Sequence, residues 1–271
     1  MGICRHCVRE ADWHNACAMS WNPETYLAFA GERTRAAAEL LARVRVKTPE
    51  RVIDLGCGPG NSTALLARRW PDARLEGLDS SKTMLGEARA SGVPAAWIEA
   101  DIATWSADAA YDVIFANATF QWLSRQDLLL PRLMSYLAPG GALAFQVPMN
   151  FDAPSHRLMR EAAAAPRFQG KLAHVREVEK GDAQNYYDML EPHAAGLDIW
   201  LTEYLQVLSG EDAVYRWVSA TGLRPFLDAL EGDEREAFIA LYKQKLNTAY
   251  PRRKSGATLF PFQRLFVVAE K

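Results

Sequence analysis

The sequence predicts an α/β fold: a doubly wound, mostly parallel seven-stranded sheet with a helical cap. Three observations carry that expectation. Short apolar runs of buried-strand type alternate with helix-period segments through residues 26–148. The first of these runs, "RVIDL", breaks into three alternating glycines, Gly56, Gly58 and Gly60, and then into a helix. The second half changes to amphipathic helices and two bulky strands, "DIWLTEYLQVL" and "RLFVVAEK".

Taken in order, "PETYLAFAGERTRAAAELLARV" is helical because Tyr26, Leu27, Ala30, Ala37, Leu40, Leu41 and Val44 recur at three- and four-residue spacing. After the first strand, "NSTALLARRW" is a helix whose first turn is supplied with polar caps. "RLEGLDSS" is a strand ending in Asp79, "KTMLGEARAS" a helix, and "AAWIEADI" a strand ending in Asp101. "DVIFANA" is the fourth strand, "DLLLPRLMSYLAPGG" a helix stopping at Pro139-Gly140-Gly141, and "ALAFQVP" the fifth strand. Strands that alternate with helices form a parallel sheet covered on both faces. Further on, "SHRLMREAAAA", "NYYDMLEPHAAG", "EDAVYRWVSATGLRPFLDAL" and "EREAFIALYKQKLNTAYP" are helices. The second half is therefore expected to add two strands and lay a helical insertion, after strand six, over the active edge as a lid.

Composition narrows the function. The 271 residues are 49% hydrophobic and 24% charged, enough for one large core. A formal net charge of -2 lacks the basic excess of a nucleic-acid binder. No apolar stretch has the ~18 residues of a membrane span, and no apolar secretory segment opens the chain, so a cytoplasmic protein is expected. Cys4, Cys7 and Cys17 cluster with His6 and His14, but without the second well-spaced ligand pair of a structural zinc site. No metal is expected; residues 1–18 read as a disordered leader, with Met19 as the natural start.

The glycine loop lies where an open α/β sheet binds its ligand, beyond the carboxyl ends of the strands. No lysine follows the glycines, so a Walker phosphate loop fails on its central charge. The spacing is G-x-G-x-G rather than the G-x-G-x-x-G that brings helix amides to a pyrophosphate. What fits is a ligand without phosphate, with an acid before the glycines and a second acid at the end of the next strand for a ribose diol.

"VIDLGCGPG", "GLDSS", "EADI" and "DVIFANATFQWL" resemble, in order, four motifs of the class I methyltransferases that use S-adenosylmethionine. The resemblance implies a Rossmann-like cofactor core over residues 19–150 and a sheet-completing, substrate-capping part over 151–271. It also implies the cofactor-binding set. Gly56, Gly58 and Gly60 admit the cofactor against bare backbone, Asp79 with Ser80 takes the ribose hydroxyls, and Asp101 with the amide of Ile102 takes the adenine. Asn117 and Ala118 are expected beside the methionine part. Asp54 either orients the loop, reaches the methionine ammonium through water, or only caps its strand. Asp79 has helix capping as its alternative, and Trp122 either covers a ligand or packs in the core.

Beyond those motifs, "MSWNPETYLAFAGERTR", "YYDML", "WVSATGLRP" and the two late strands resemble the bacterial trans-aconitate 2-methyltransferase family. That resemblance implies a small-molecule tricarboxylate acceptor, a monomethyl ester product and S-adenosylhomocysteine. A carboxylate with a pKa near ~4 is already ionised at neutral pH, so no general base is nominated. Arg33, Arg224 and Arg264 are the candidate cations for the acceptor's other carboxylates, and Tyr26, Trp21 and Tyr187 are second-rank candidates with core or lid packing as their alternative. Arg33 has the cofactor's carboxylate as an alternative partner, and Arg224 and Arg264 have structural acids. A methyltransferase for a different organic acid or quinone-like acceptor, a non-catalytic cofactor-binding module and a nicotinamide-dependent dehydrogenase are the competing readings.

Overall fold

The computed structural model describes residues 30–175 and 181–271, with the side chains of residues 30–33 left aside. Trp21, Tyr26, the side chain of Arg33, and the Cys4, Cys7 and Cys17 cluster lie outside what is described.

The described residues open with α1 (Ala30–Arg43) and run through β1 (Arg51–Leu55), α2 (Asn61–Arg69), β2 (Arg74–Asp79), α3 (Lys82–Ala90) and β3 (Ala96–Glu99). They continue with β4 (Tyr111–Asn117), a 3-10 turn (Phe120–Trp122), α4 (Gln126–Ser135), β5 (Leu137–Pro148), α5 (Pro154–Ala163) and the one-turn α6 (Gln169–Leu172). After α7 (Ala183–Leu190) come β6 (Gly196–Ser209), α8 (Ala213–Ser219), α9 (Arg224–Asp228), α10 (Gly232–Ala249) and β7 (Ala257–Glu270). The seven strands form one sheet in the order β3-β2-β1-β4-β5-β7-β6. β1 to β5 pair in parallel, and β7 runs antiparallel between β5 and β6.

Because strand side chains alternate and both faces are covered at the centre of the sheet, β1, β4 and the second half of β5 are largely apolar. On one face α1 and α2 cover Val52, Phe115, Ala144 and Phe266; on the other α4 and α7 cover Ile53, Ile114, Phe145 and Val267. β6 and β7 are each 14 residues long, so the ribbon they form outruns the sheet. Its far end, with Leu208, Phe260 and Phe262, enters a third core with α5, α8, α9 and α10 around Trp217, Phe226, Phe238 and Tyr242. The cap is thus built from helices on both sides of β6 in the chain, not only those after it. Two hydroxyls join the parts: Tyr242 donates to the Ser155 carbonyl at 2.8 Å, and Tyr250 accepts the Ser155 N–H at 3.0 Å.

Four boundaries differ from expectation. β5 begins at Leu137, so Pro139-Gly140-Gly141 belongs to a strand: Leu137 pairs with Tyr111, and Gly140 donates to the carbonyl of Lys271. β3 ends at Glu99, leaving Asp101 in the loop beyond it. Residues 213–228 form two helices, since Pro225 has no N–H with which to continue a helical ladder. Finally, α2 has no side-chain cap; its N-cap is Gly60 at φ +91°, and the hydroxyls in its first turn serve Asp54 instead.

Candidate active site

β1 has β2 on one side and β4 on the other, so the chain order reverses there and opens a crevice at the carboxyl ends of the strands. The glycine loop fills the bottom of it. Gly56 and Cys57 donate to the carbonyl of Leu78 at 2.7 and 3.0 Å, which ties the loop to β2. Gly56, Gly58 and Gly60 have φ of +68°, +54° and +91°, the left-handed region in which a side chain is strained. At Gly56 a Cβ would lie 2.4 Å from the Thr119 side chain, whereas at Gly58 it would meet nothing within 4 Å. The first glycine is therefore required by the protein's own packing. The second opens onto the crevice.

Asp79 stands at the end of β2, facing the loop. One of its oxygens accepts the N–H of Gly58 at 2.9 Å and the other that of Ser81 at 2.8 Å. Burial pushes its carboxyl above the ordinary range, against the pull of the amides of Ser81, Gly58 and Ser80. The side chain that caps α3 is Ser81, which accepts from Met84. A carboxylate has about four lone-pair sites, so acceptor capacity remains for a ribose hydroxyl. Asp54 is fully buried, and one oxygen accepts from Ser62 and Thr63, both at 2.7 Å. Its other oxygen, Oδ1, is buried and meets no hydrogen-bond donor among the described residues. Burial pushes the Asp54 carboxyl up to about 7, against the two hydroxyls and with the charge of Asp79 adding to the rise.

The remaining cofactor candidates lie at or just beyond the carboxyl ends of β3 and β4. Asp101 is exposed and accepts the N–H of Ala103 at 2.8 Å, while Ile102 is buried and its carbonyl accepts from Arg132. Asn117 ends β4, and Ala118 follows at φ +56°. A non-glycine residue in that region stores strain of order 1 kcal/mol, a feature found at functional sites. Trp122 closes the 3-10 turn, half-buried. Burial pushes the Cys57 thiol up, which leaves it no thiolate to act as a nucleophile at neutral pH.

Arg264, on β7, is linked to the end of β4 through Gln146. It is 4% exposed, stacks over the Phe262 ring at 4.8 Å and donates to Gln146 Oε1 at 2.9 Å. Arg224 opens α9 in the cap, behind Gly222, where a Cβ would lie 3.1 Å from His156 Nε2. Burial and the charge of Arg160 lower His156 to about 4, so it is neutral at pH 7. Tyr187 is exposed on α7. A cavity of about 490 Å³ between α4 and α7 is lined by Asp127, Asp182 and Asp188 as well as Arg125. Its three acids unfit it for a polyanionic acceptor.

Three contributors were missed. Gln146 is a polar residue inside an apolar strand, a signal that a hydrogen-bonding partner waits across the sheet. Thr119 is the reason Gly56 is a glycine. Trp97 lies over Gly77 of β2 and reaches Gly60, and a glycine within a strand marks such an approach.

A family described as a methyltransferase domain matches residues 52–141. A protein of Azoarcus sp. (strain BH72) named trans-aconitate 2-methyltransferase is 50% identical over 251 residues, covering 92% of this chain and 98% of its own. One of the same name from Escherichia coli O17:K52:H18 is 47% identical over 253 residues, covering 93% and 98%. Among solved structures, YcgJ from Bacillus subtilis matches with a TM-score of 0.58 at 13% identity, over 88% of this chain and 98% of that one. Coclaurine N-methyltransferase, solved with N-methylheliamine and S-adenosylhomocysteine, matches with a TM-score of 0.51 at 18% identity, over 88% and 72%. At those identities the likeness is one of fold. Among the described residues no helix is long and apolar enough to cross a membrane.

Proposed function

This chain belongs to the trans-aconitate 2-methyltransferase family, and from that premise we propose that it transfers a methyl group from S-adenosylmethionine to one carboxylate of trans-aconitate, giving the monomethyl ester and S-adenosylhomocysteine. The observation that supports the acceptor reading is the buried guanidinium of Arg264, joined through Gln146 to Asn117 at the end of β4.

The residues present fit the cofactor. Asp79 keeps acceptor capacity beyond the amides it accepts, and Gly58 leaves the crevice open above it. S-adenosylmethionine supplies an electrophilic methyl group on a sulfonium. We assign Asp79 and Ser80 to the ribose, Asp101 and the Ile102 amide to the adenine, and Asn117 and Ala118 to the methionine end, with Trp122 over the cleft. Asp54, locked by Ser62 and Thr63, orients the loop.

No proton has to be moved, because the attacking oxygen belongs to a carboxylate. The protein's work is placement and exclusion of water. Arg264 and Arg224 hold the carboxylates that do not react. A unit-charge pair at about 4 Å is worth about 4 kcal/mol at an effective dielectric near 20, before desolvation. Two such contacts suffice to separate a tricarboxylate from a monocarboxylate.

The test is transfer of labelled methyl from S-adenosylmethionine to trans-aconitate, cis-aconitate, citrate and isopropylmalate, with the ester identified by mass. Turnover confined to trans-aconitate is expected, and Arg264→Met should raise its KM about tenfold or more. Cofactor binding with no transfer to any of these acids overturns the tricarboxylate reading.

A further inference from the structure

Three side chains on three strands form a line of hydrogen bonds beneath the crevice. Arg264 Nη1 on β7 donates to Gln146 Oε1 on β5 at 2.9 Å, and Gln146 Nε2 donates to Asn117 Oδ1 on β4 at 2.6 Å. The sheet register sets this up. Asn117 lies directly across from Gln146, and Arg264 lies across from Pro148, two residues further along β5 on the same face. Gln146 is 1% exposed, so its amide has no water to exchange with. The Gln146 backbone carbonyl also accepts the N–H of Ala118, locking the strained residue that follows Asn117.

The polarity of this line follows from one end. A guanidinium has donors and no acceptor. Gln146 must therefore turn its oxygen to Arg264, which leaves its NH2 group facing Asn117. Asn117 must answer with its own oxygen. Its amino group is then the end turned away from Gln146, and it meets no acceptor among the described residues. Hydrogen bonds in such a series polarise one another.

We propose that Gln146 is a positioning residue that passes the donor character of Arg264 to Asn117, so that the Asn117 amino group is presented to a ligand carboxylate in the crevice. Without it the Asn117 amide turns either face to the site at little cost, and one face sets a carbonyl oxygen against an anion. The inference rests on the carboxylate reading above. Two carboxylates share the required chemistry, that of the acceptor and that of the cofactor's methionine end.

Gln146→Glu tests this. Beside Arg264 the new carboxylate stays ionised and accepts only, so Asn117 must reverse and offer its amino group to Glu. The readouts are calorimetric affinities for S-adenosylhomocysteine, and for trans-aconitate in its presence, with Tm as the check on folding. At least a tenfold loss for one ligand is expected, a smaller loss in Gln146→Met, and a change within twofold when either substitution is added to Asn117→Ala. A loss confined to trans-aconitate puts the donor on the acceptor, and one confined to S-adenosylhomocysteine puts it on the methionine end; both support the proposal. Affinities within twofold of the parent for both ligands overturn it, as does an equal loss with and without Asn117. If Gln146→Glu does not fold, the Gln146→Met and Asn117→Ala cycle decides. A parent that binds S-adenosylhomocysteine but not trans-aconitate refutes the acceptor reading alone, and the S-adenosylhomocysteine affinities then decide the role of Gln146.

Discussion

The two ends of the sheet each bury an acid, and they treat it in opposite ways. At the amino end Glu76 is 2% exposed, and both its oxygens are taken up. Arg51 lies at 3.2 Å from each, Arg74 at 3.0 Å and the Tyr111 hydroxyl at 2.5 Å. Asp112 there accepts the backbone N–H groups of Glu50 and Arg51, both at 2.8 Å. At the carboxyl end Asp54 is 0% exposed, faces no described cation, and leaves Oδ1 without a hydrogen-bond donor among the described residues. Ala118 holds a left-handed backbone in the same region. A buried charge is tolerated when it is paired and hydrogen-bonded. The amino end meets that condition and acts as a clasp. The carboxyl end does not, and it is the end to which we assign the ligand.

The largest effect that separates the ends is expected at the clasp. Gln in place of Glu76 takes the buried acid from Arg51 and Arg74, leaving Arg51 to the exposed Asp108 carboxylate and the Tyr111 hydroxyl, and should cost roughly 3–5 kcal/mol of stability, read by denaturant unfolding. A cost under about 1 kcal/mol would mean that the network is dispensable.

The next is a pH dependence at Asp54. Its folded pKa, about 7, lies above the unfolded value, 3.8, so between those limits the folded state binds the extra proton. The stability this group contributes is therefore full below the unfolded pKa and is lost as pH rises through the folded one, by about 4 kcal/mol at most. Asp54→Asn should remove that slope, leaving the variant relatively more stable at pH 8 than at pH 5 when compared with the parent. Parallel stability curves for the two proteins over pH 4–8 would show that Asp54 carries no such penalty.

The smallest is at Ala118. Glycine adopts a positive φ without strain, so Ala118→Gly should change stability by no more than about 1 kcal/mol while loosening the turn after Asn117. An affinity for S-adenosylhomocysteine that falls while Tm holds marks the strain as functional; equal changes in both assign it to packing.

Much of the carboxyl end was legible in advance. The three glycines, Asp79 at the end of β2 and Asn117 at the end of β4 stand where the alternation of strands and helices puts them. The errors came where local pattern and tertiary pairing disagree. "LAPGG" has the composition of a helix stop, yet pairing with Tyr111 and Lys271 draws it into β5. Ser62 and Thr63 have the composition of helix caps, yet a buried carboxylate claims their hydroxyls. The cap was expected from helices after β6 alone, because nothing in the periodicity of α5 names its partner α10.

By itself the sequence determined the order of strands and helices, the glycine loop and the acid that faces it, because periodicity and the need for positive φ act over a few residues. Only the tertiary structure decided that Gln146 joins Asn117 to Arg264. Those bonds span 29 and 118 residues of chain, and they exist because β7 slides between β5 and β6 in one register. A slip of one residue would turn every side chain to the other face. The donor line under the crevice is thus a property of strand pairing, which no local run of residues encodes.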